Sequence, residues 1–246
     1  MRFTIISDDG GRIVLRDQRL NQKGWYLGST IKGWFGSPAP REDTTESVGR
    51  DGDFWPTTIT QGGRTVTLSG VIIARSALEL ARAIDQVTGL MGHTLTIEAE
   101  DAHGLRIAEG YLSDDPDPQI LGDEDKATFD LIITVPDPHK YGRWAAYNMP
   151  FVGSVSIRNN GNVPSYPKIK VTPIYGQKVT YLTLTCAGKT VSWTGSTDEL
   201  TLDLAEMVPS SGTISIDNAF ALQPGNNQVT ISTNGYAMLY ARDAWR

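Results

Sequence analysis

Clustered carboxylates are the first residues of this chain that could carry chemistry. Six of them fall within twelve positions, at Asp114, Asp115, Asp117, Asp123, Glu124 and Asp125. A glycosidase needs two carboxylates across a sugar, and a hard cation such as Ca²⁺ takes loop carboxylates. These residues lie among prolines and glycines, with no aromatic platform nearby in the sequence and no EF-hand order of ligands. We therefore interpret the cluster as a solvated acidic loop, with calcium binding and catalysis as the less favoured alternatives.

Histidine and cysteine spacing gives no support for a catalytic or metal site. His93, His103 and His139 lie far apart, without the close pairing that zinc sites use. Cys186 is the only cysteine and sits in an alternating pattern, which favours a small buried residue over a nucleophile. The nucleophile elbow and the phosphate-binding glycine loop are both missing. We predict that the protein is not an enzyme, with no catalytic residue, no metal ligand and no cofactor.

Composition narrows the possible partners. Lysine and arginine number 22 against 28 aspartates and glutamates, a net charge of −6. Nucleic acids and anionic membranes attract concentrated positive charge, so we expect neither as a partner. No apolar run approaches the roughly 20 residues that span a bilayer, and the N-terminal segment lacks the apolar stretch of a secretory signal. We expect synthesis in the cytoplasm, with any later release achieved by a route other than secretion.

The elements that would position functional side chains are mostly strands. The 25 glycines and 13 prolines indicate frequent turns, and residues 64–72 alternate as a strand does. Ser76 and Glu79 have the spacing of a capping box, which predicts one helix over about 76–89. Short strands separated by turns follow from Val155 onward. We predict a mainly β protein, with an N-terminal β-rich domain over 1–142 and a galectin-like or jelly-roll β-sandwich over 150–246.

Residues 20–63 stand out as a long arm rich in glycine and proline. A stretch of this length without periodicity is uncommon inside a compact domain and is typical of a functional arm. Aromatic side chains in such a segment favour contact with another protein. The candidate interface residues are Trp34, Phe35, Asp53, Phe54 and Trp55. The alternative is that the aromatic rings fold back onto their own domain.

Several short segments, in a shared order, resemble the distal tail protein (Dit) family of phages with long, non-contractile tails. The similarity extends over nearly the whole chain. The segments are Arg50-Asp51-Gly52-Asp53, Arg64-Thr65-Val66-Thr67-Leu68-Ser69-Gly70, Val135-Pro136-Asp137-Pro138-His139-Lys140-Tyr141-Gly142, Asn160-Gly161-Asn162-Val163-Pro164-Ser165-Tyr166-Pro167, Pro224-Gly225-Asn226-Asn227 and Arg242-Asp243-Ala244-Trp245-Arg246.

The resemblance implies a structural virion protein. Six copies would form a ring through the N-terminal domain, which carries an extended hairpin arm, and the galectin-like sandwich would project outward. The ring would be a hub at the tail tip, joining the tail tube protein to the tail-associated baseplate protein. The protein would be made in the bacterial cytoplasm. Some members of the family carry inserted carbohydrate-binding modules, for which this chain is too short.

A carbohydrate-binding β-sandwich that contacts the host cell surface is the competing function. Such modules stack sugars on exposed aromatic rings, so this hypothesis predicts aromatic side chains on one face of the sandwich. Trp193 lies in an alternating strand, where a core position is the favoured interpretation. The sugar-binding hypothesis gives no reason for the arm at 20–63.

Overall fold

The protein divides into two compact units. A computed structural model describes residues 1–17, 22–41, 45–46, 51, 53–55, 58–122 and 125–246, with the backbone alone at 45, 46, 53 and 54. The first unit comprises Met1–Lys140 together with Arg246, and the second comprises Tyr141–Trp245. The chain is mainly β, as the sequence predicts.

The first unit is built mainly from strands. Its elements are Arg2–Ser7 (β1), Arg12–Arg16 (β2), Gly24–Lys32 (β3), Pro40–Arg41 (β4), Thr45–Glu46 (β5), Asp53–Phe54 (β6), Thr60–Gln61 (β7), Arg64–Ile73 (β8), Ala77–Thr88 (α1), Leu95–Asp101 (β9), Gly104–Leu112 (β10), Gln119–Leu121 (β11) and Lys126–Val135 (β12), followed by Lys140–Tyr141 (β13) at the division between the units.

Strands β1–β3 and β8–β12 form a sheet that closes on itself. The order is β11-β12-β8-β3-β2-β1-β9-β10, and β10 also pairs with β12, where Tyr111 lies opposite Thr134. Alternate residues of β8 and β12 point inward, and Phe3, Leu68 and Leu131 are completely buried in one core. The alternating pattern along β8 is therefore the signature of a strand with one buried face.

Helix α1 begins where the capping pattern predicts. The hydroxyl of Ser76 accepts a hydrogen bond from the backbone N–H of Glu79, and the Glu79 carboxylate accepts one from the N–H of Arg75. Leu80 and Val87 face the core, seven positions apart and thus on one side of the helix. No helix within the described residues is long and apolar enough to cross a membrane.

The second unit is a sandwich of two five-stranded sheets. Its elements are Ala145–Met149 (β14), Val152–Asn159 (β15), Lys168–Pro173 (β16), Val179–Cys186 (β17), Lys189–Thr197 (β18), Leu200–Asp203 (β19), Val208–Pro209 (β20), Thr213–Asp217 (β21), Gly225–Thr233 (β22), Gly235–Ala241 (β23) and Ala244–Trp245 (β24). One sheet has the order β14-β23-β16-β19-β20 and the other β15-β22-β17-β18-β21, and β24 belongs to neither.

The two sheets share a core to which both contribute buried side chains. Trp193 is buried there, as predicted, and its indole N–H donates to the carbonyl of Ser211 at 2.6 Å. Cys186 is also buried, as predicted, and burial raises the pKa of its thiol. A thiol held neutral in an apolar core is a poor nucleophile.

Strands β3, β11 and β14 fall where the sequence predicts irregular chain. β3 occupies residues assigned to the arm, β11 lies in the acidic loop, and β14 lies between the two predicted domains. In each case, hydrogen bonding to a neighbouring strand extends the sheet across a segment that has no clear alternation of its own. The second unit consequently starts at Tyr141 rather than at residue 150.

Candidate assembly interface

The arm is a hairpin, and it is shorter than the predicted 20–63. Two short antiparallel ladders follow one another along it. In the first, Pro40 and Arg41 lie opposite Gln61 and Thr60, and in the second β5 pairs with β6. Strand β3 belongs to the closed sheet, where it pairs with β8. The hairpin therefore leaves the sheet after Lys32 and returns to it at Arg64, a correction to the predicted start of the arm.

A buried guanidinium holds the point where the hairpin leaves the sheet, which we call the arm root (Gly33–Gly36, Arg64 and Lys140). Arg64 is buried, and its Nη1 donates to the carbonyl oxygens of Gly33 at 3.0 Å, Trp34 at 3.3 Å and Gly36 at 3.2 Å. Its Nε donates to the carbonyl of Pro138 at 2.9 Å. One planar cation thus satisfies carbonyls from two separate segments and fixes the first turn of the arm.

Lys140 is the second buried cation of the arm root. Its Nζ donates to the carbonyl of Trp34 at 2.7 Å and lies 5.6 Å from the centre of the indole ring. Burial lowers the pKa of Lys140 to about 8, and the neighbouring positive charge of Arg64 acts in the same direction. Burial also lowers the pKa of Arg64. Burying these two neighbouring positive charges in the arm root therefore costs electrostatic free energy.

Gly33 is required at this point for steric reasons. Its φ of +75° is a backbone conformation that side-chain-bearing residues rarely adopt, and a Cβ there would lie 1.8 Å from the carbonyl oxygen of Thr65. The chain can turn out of the sheet here because glycine lets the two backbones approach closely.

The five predicted interface residues differ in how far their side chains are exposed. Trp34 is only 1% exposed, and its ring packs edge-on against Phe3 with the ring centres 5.5 Å apart. Trp34 is thus a core residue that folds back on its own domain, which corrects its assignment to the interface. Phe35 is 59% exposed and Trp55 is 90% exposed. Asp53 and Phe54 lie in β6, and their side chains fall outside the described part of the chain.

Beyond the root, the described part of the arm buries none of its side chains. From Phe35 to Gly63, every side chain whose placement the structure describes is exposed or partly exposed. Ile59 is a further exposed apolar residue on the arm, which the sequence analysis did not single out because it lacks an aromatic ring. Phe35, Trp55 and Ile59 are thus the candidate interface residues of the arm that the structure shows exposed.

The acidic loop uses its described carboxylates within the loop itself. Asp114 accepts from the N–H of Asp115 at 2.9 Å, and Asp115 accepts from the N–H of Asp117 at 3.0 Å. Asp117 in turn accepts from the side-chain amide of Gln119 at 2.8 Å. Asp123 and Glu124 lie outside the described residues. Asp114, Asp115 and Asp117 thus act as turn formers, and Asp125 lies 3.7 Å from Lys126 Nζ, which agrees with the interpretation as a solvated loop.

One close group of possible metal ligands arises that the sequence analysis missed. Among the described residues, Asp8, Asp9 and His93 bring three ligand-type atoms within 4.8 Å of one another. His93 Nδ1 lies 2.6 Å from Asp8, and Nε2 lies 3.7 Å from Asp9. The hydrogen bond with Asp8 raises the pKa of His93 and lowers that of Asp8. All three side chains are exposed or partly exposed, so an ion pair at the surface describes the arrangement.

The pairing of β1 with β9 explains why Asp8, Asp9 and His93 lie close together. Ser7 lies opposite Leu95, so the residues just beyond them, in the turn after β1 and before β9, must be neighbours. The spacing of the histidines could not reveal this group, because the two aspartates lie in a turn more than 80 positions away from His93.

Proteins similar to this chain are found by comparing structures and not by comparing sequences. No protein-family model and no curated protein matches the chain by sequence. The Dit protein of phage SPP1, described as a paradigm of the hub adsorption apparatus in phages infecting Gram-positive bacteria, superposes with a TM-score of 0.66. The match covers 99% of both chains at 15% identity. The chain has the Dit fold.

Two phage baseplate structures extend this similarity. The phage P2 baseplate in its activated conformation with Ca contains a chain that matches with a TM-score of 0.55 and 10% identity, over 99% of this chain and 98% of that one. The phage p2 baseplate in its activated conformation with Sr gives 0.52 and 11%, over 98% of each chain. These neighbours are components of phage tails and baseplates, and the likeness to Dit covers both units of this chain.

Proposed function

We propose that the protein is a distal tail protein that forms a homo-hexameric ring at the tip of a siphophage tail. In this role it joins the tail tube protein to the tail-associated baseplate hub protein and belongs to the virion. The second unit is the galectin-like sandwich that the family carries outside the ring. The protein acts by assembly rather than by catalysis.

The observation that carries this proposal is the extent of the structural match. Both units and nearly every residue correspond to the SPP1 Dit protein. A match restricted to the sandwich would support only a common fold, because sandwiches serve many functions. A closed sheet, a hairpin arm and a sandwich in the same order along one chain form a more specific combination.

The arm supplies the physical reason for self-assembly. Fixing its backbone costs about 1–2 kcal/mol per residue, and none of its described side chains is buried beyond the root. A neighbouring subunit that covers Phe35, Trp55 and Ile59 would offset that cost, since aromatic anchors often dominate interface energies. Each arm would lie on the next subunit in a head-to-tail contact, and such contacts form a ring when the rotation between neighbouring subunits closes.

The experiment is a mass measurement by light scattering over a range of protein and salt concentrations. We expect a species of six chains of 26.8 kDa each. Each chain carries a charge of −6, so salt should favour the ring by screening repulsion between subunits. A variant in which residues 42–59 are replaced by Asn-Gly keeps the root and the β4–β7 ladder, and we expect it to be monomeric.

A matched pair of point variants distinguishes an effect of the arm from a general effect of losing exposed apolar surface. Trp55→Ser should weaken the hexamer, whereas Leu78→Ser, at an exposed apolar position on helix α1, should leave it intact. A hexamer that survives the arm replacement unchanged refutes the role of the arm. A wild-type chain that stays monomeric at high protein and salt concentrations contradicts self-assembly into a ring.

A further inference from the structure

The outer face of one sandwich sheet carries a shallow cavity of about 260 Å³. It lies over strands β14, β16 and β23, all within the second unit. We call this surface the Tyr236 face. The outward side chains that line it are Asn148, Lys170, Thr172, Tyr236, Met238 and Tyr240.

Strand pairing places these side chains in rows. Tyr236 lies opposite Thr172, and Met238 lies between Lys170 on one side and Asn148 on the other. Tyr236 and Tyr240 are four residues apart on one strand, so they point to the same side with about 13 Å between them. The face therefore presents two phenol groups at the ends of an apolar strip, with polar side chains along both edges.

The ring of Tyr236 is held in place and still accessible. It is 54% exposed and lies against Phe151, which is 43% exposed, with ring centres 5.4 Å apart and planes tilted by 47°. Support from one neighbouring ring restricts the side chain while part of its surface stays open to a ligand. An aromatic ring oriented in this way can stack against the C–H face of a pyranose.

The charged groups on this face are paired with one another. Lys170 Nζ lies 2.8 Å from Glu199, and this contact raises the pKa of the lysine. Lys168, one row away, lies 2.9 Å from Asp203. An anionic ligand would have to displace these carboxylates from their lysines. The pairing therefore favours a neutral ligand over a phosphate polymer or an acidic sugar.

The remaining polar groups are free to bind. Within the described chain, the side chains of Asn148, Thr172, Tyr236 and Tyr240 make no hydrogen bond with the protein. They offer amide and hydroxyl groups beside an apolar strip. Saccharides have the matching chemistry, since a sugar ring combines an apolar face with hydroxyl groups around its rim.

We propose that the Tyr236 face binds a neutral saccharide of two or three rings. This site lies in the sandwich and does not depend on the ring-forming role of the arm. The cavity is smaller than the roughly 300–1,000 Å³ that encloses a drug-sized ligand. Binding is therefore shallow and weak for one copy, with a Kd in the millimolar range.

The test is a titration of the full-length chain, followed by NMR or calorimetry. The probes are neutral oligosaccharides built from glucose, galactose, N-acetylglucosamine or N-acetylgalactosamine, with polyglycerol phosphate as the anionic comparison. We expect at least one neutral probe to bind, and Tyr236→Ala to weaken that binding at least tenfold. Tyr181→Ala is the matched control, because this tyrosine is 39% exposed in the other sheet. It should leave the affinity unchanged.

Asn148→Ala provides a second variant at an exposed position, in case the loss of Tyr236 disturbs the fold, and it should also weaken binding. The proposal fails if no neutral probe binds at about 10 mM. It also fails if Tyr236→Ala and Asn148→Ala bind as the wild type does. Binding of the anionic polymer alone would overturn the charge argument and with it the proposal.

Discussion

The ammonium group of Lys140 lies 2.7 Å from the carbonyl oxygen of Trp34, although 106 positions separate the two residues in the chain. This contact, together with those of Arg64, ties the end of the first unit to the start of the arm. The start of the arm, which carries the candidate interface, is therefore coupled to the protonation state of Lys140.

Stability should therefore depend on pH through Lys140. Its folded pKa of about 8 lies below the usual value near 10.5, so the unfolded chain binds more protons between these two pH values. Stability relative to Lys140→Met should rise by about 2 kcal/mol from pH ~7 to pH ~9.5. Denaturant unfolding of both proteins across this range measures the difference, and groups that titrate in both proteins cancel. A difference that stays constant with pH would show that the lysine is not held at a lowered pKa.

Replacing Gly33 should damage the arm root. Gly33→Ala places a methyl group against the carbonyl of Thr65 in a left-handed backbone conformation, and we expect a loss of more than about 2 kcal/mol. Gly36→Ala is the control, because a Cβ there meets no atom within 4 Å, and it should change stability by less than about 0.5 kcal/mol. Thermal unfolding of the two variants beside the wild type makes the comparison. Equal effects would rule out the steric argument.

The pKa of His93 should respond differently to its two aspartates. Asp8 makes the hydrogen bond at 2.6 Å and is the main cause of the raised pKa, whereas Asp9 lies 3.7 Å away. Asp8→Asn should lower the pKa of His93 more than Asp9→Asn does, as measured by NMR titration of the imidazole. The ion pair stabilises the fold fully below the unfolded pKa near 6.5, and this contribution is lost as pH rises through the folded value. A larger effect from Asp9→Asn would contradict the geometry.

The second unit should fold alone, provided that it retains β14. We expect the fragment 141–246 to unfold cooperatively. The fragment 150–246 removes β14, exposes the edge of β23 and leaves the place of Met149 in the core empty. It should be less stable by about 2–4 kcal/mol. Met149→Ala in the longer fragment should cost less than the truncation, because it keeps the strand pairing. Chemical denaturation ranks the three, and an unstructured 141–246 would refute independent folding.

The sequence determined the class of fold because its signals are local. Alternation along β8, the capping box at Ser76 and the turns of the sandwich each depend on residues within a few positions of one another. The exposed aromatic rings of the arm were anticipated for Phe35 and Trp55 on the same basis. The segment is rich in glycine and has no apolar period, so it offers no apolar face of its own that could bury them.

Tertiary structure decided the roles that depend on contacts between distant segments. Trp34 became a core residue because Phe3 supplies its ring contact, and two buried cations hold its carbonyl. Strand β14 exists because β23 supplies the other half of its ladder. On the Tyr236 face, register across three strands brings Asn148, Lys170 and Thr172 beside the tyrosines. The free energy of each arrangement comes from partners tens of positions away, so no window of sequence contains it.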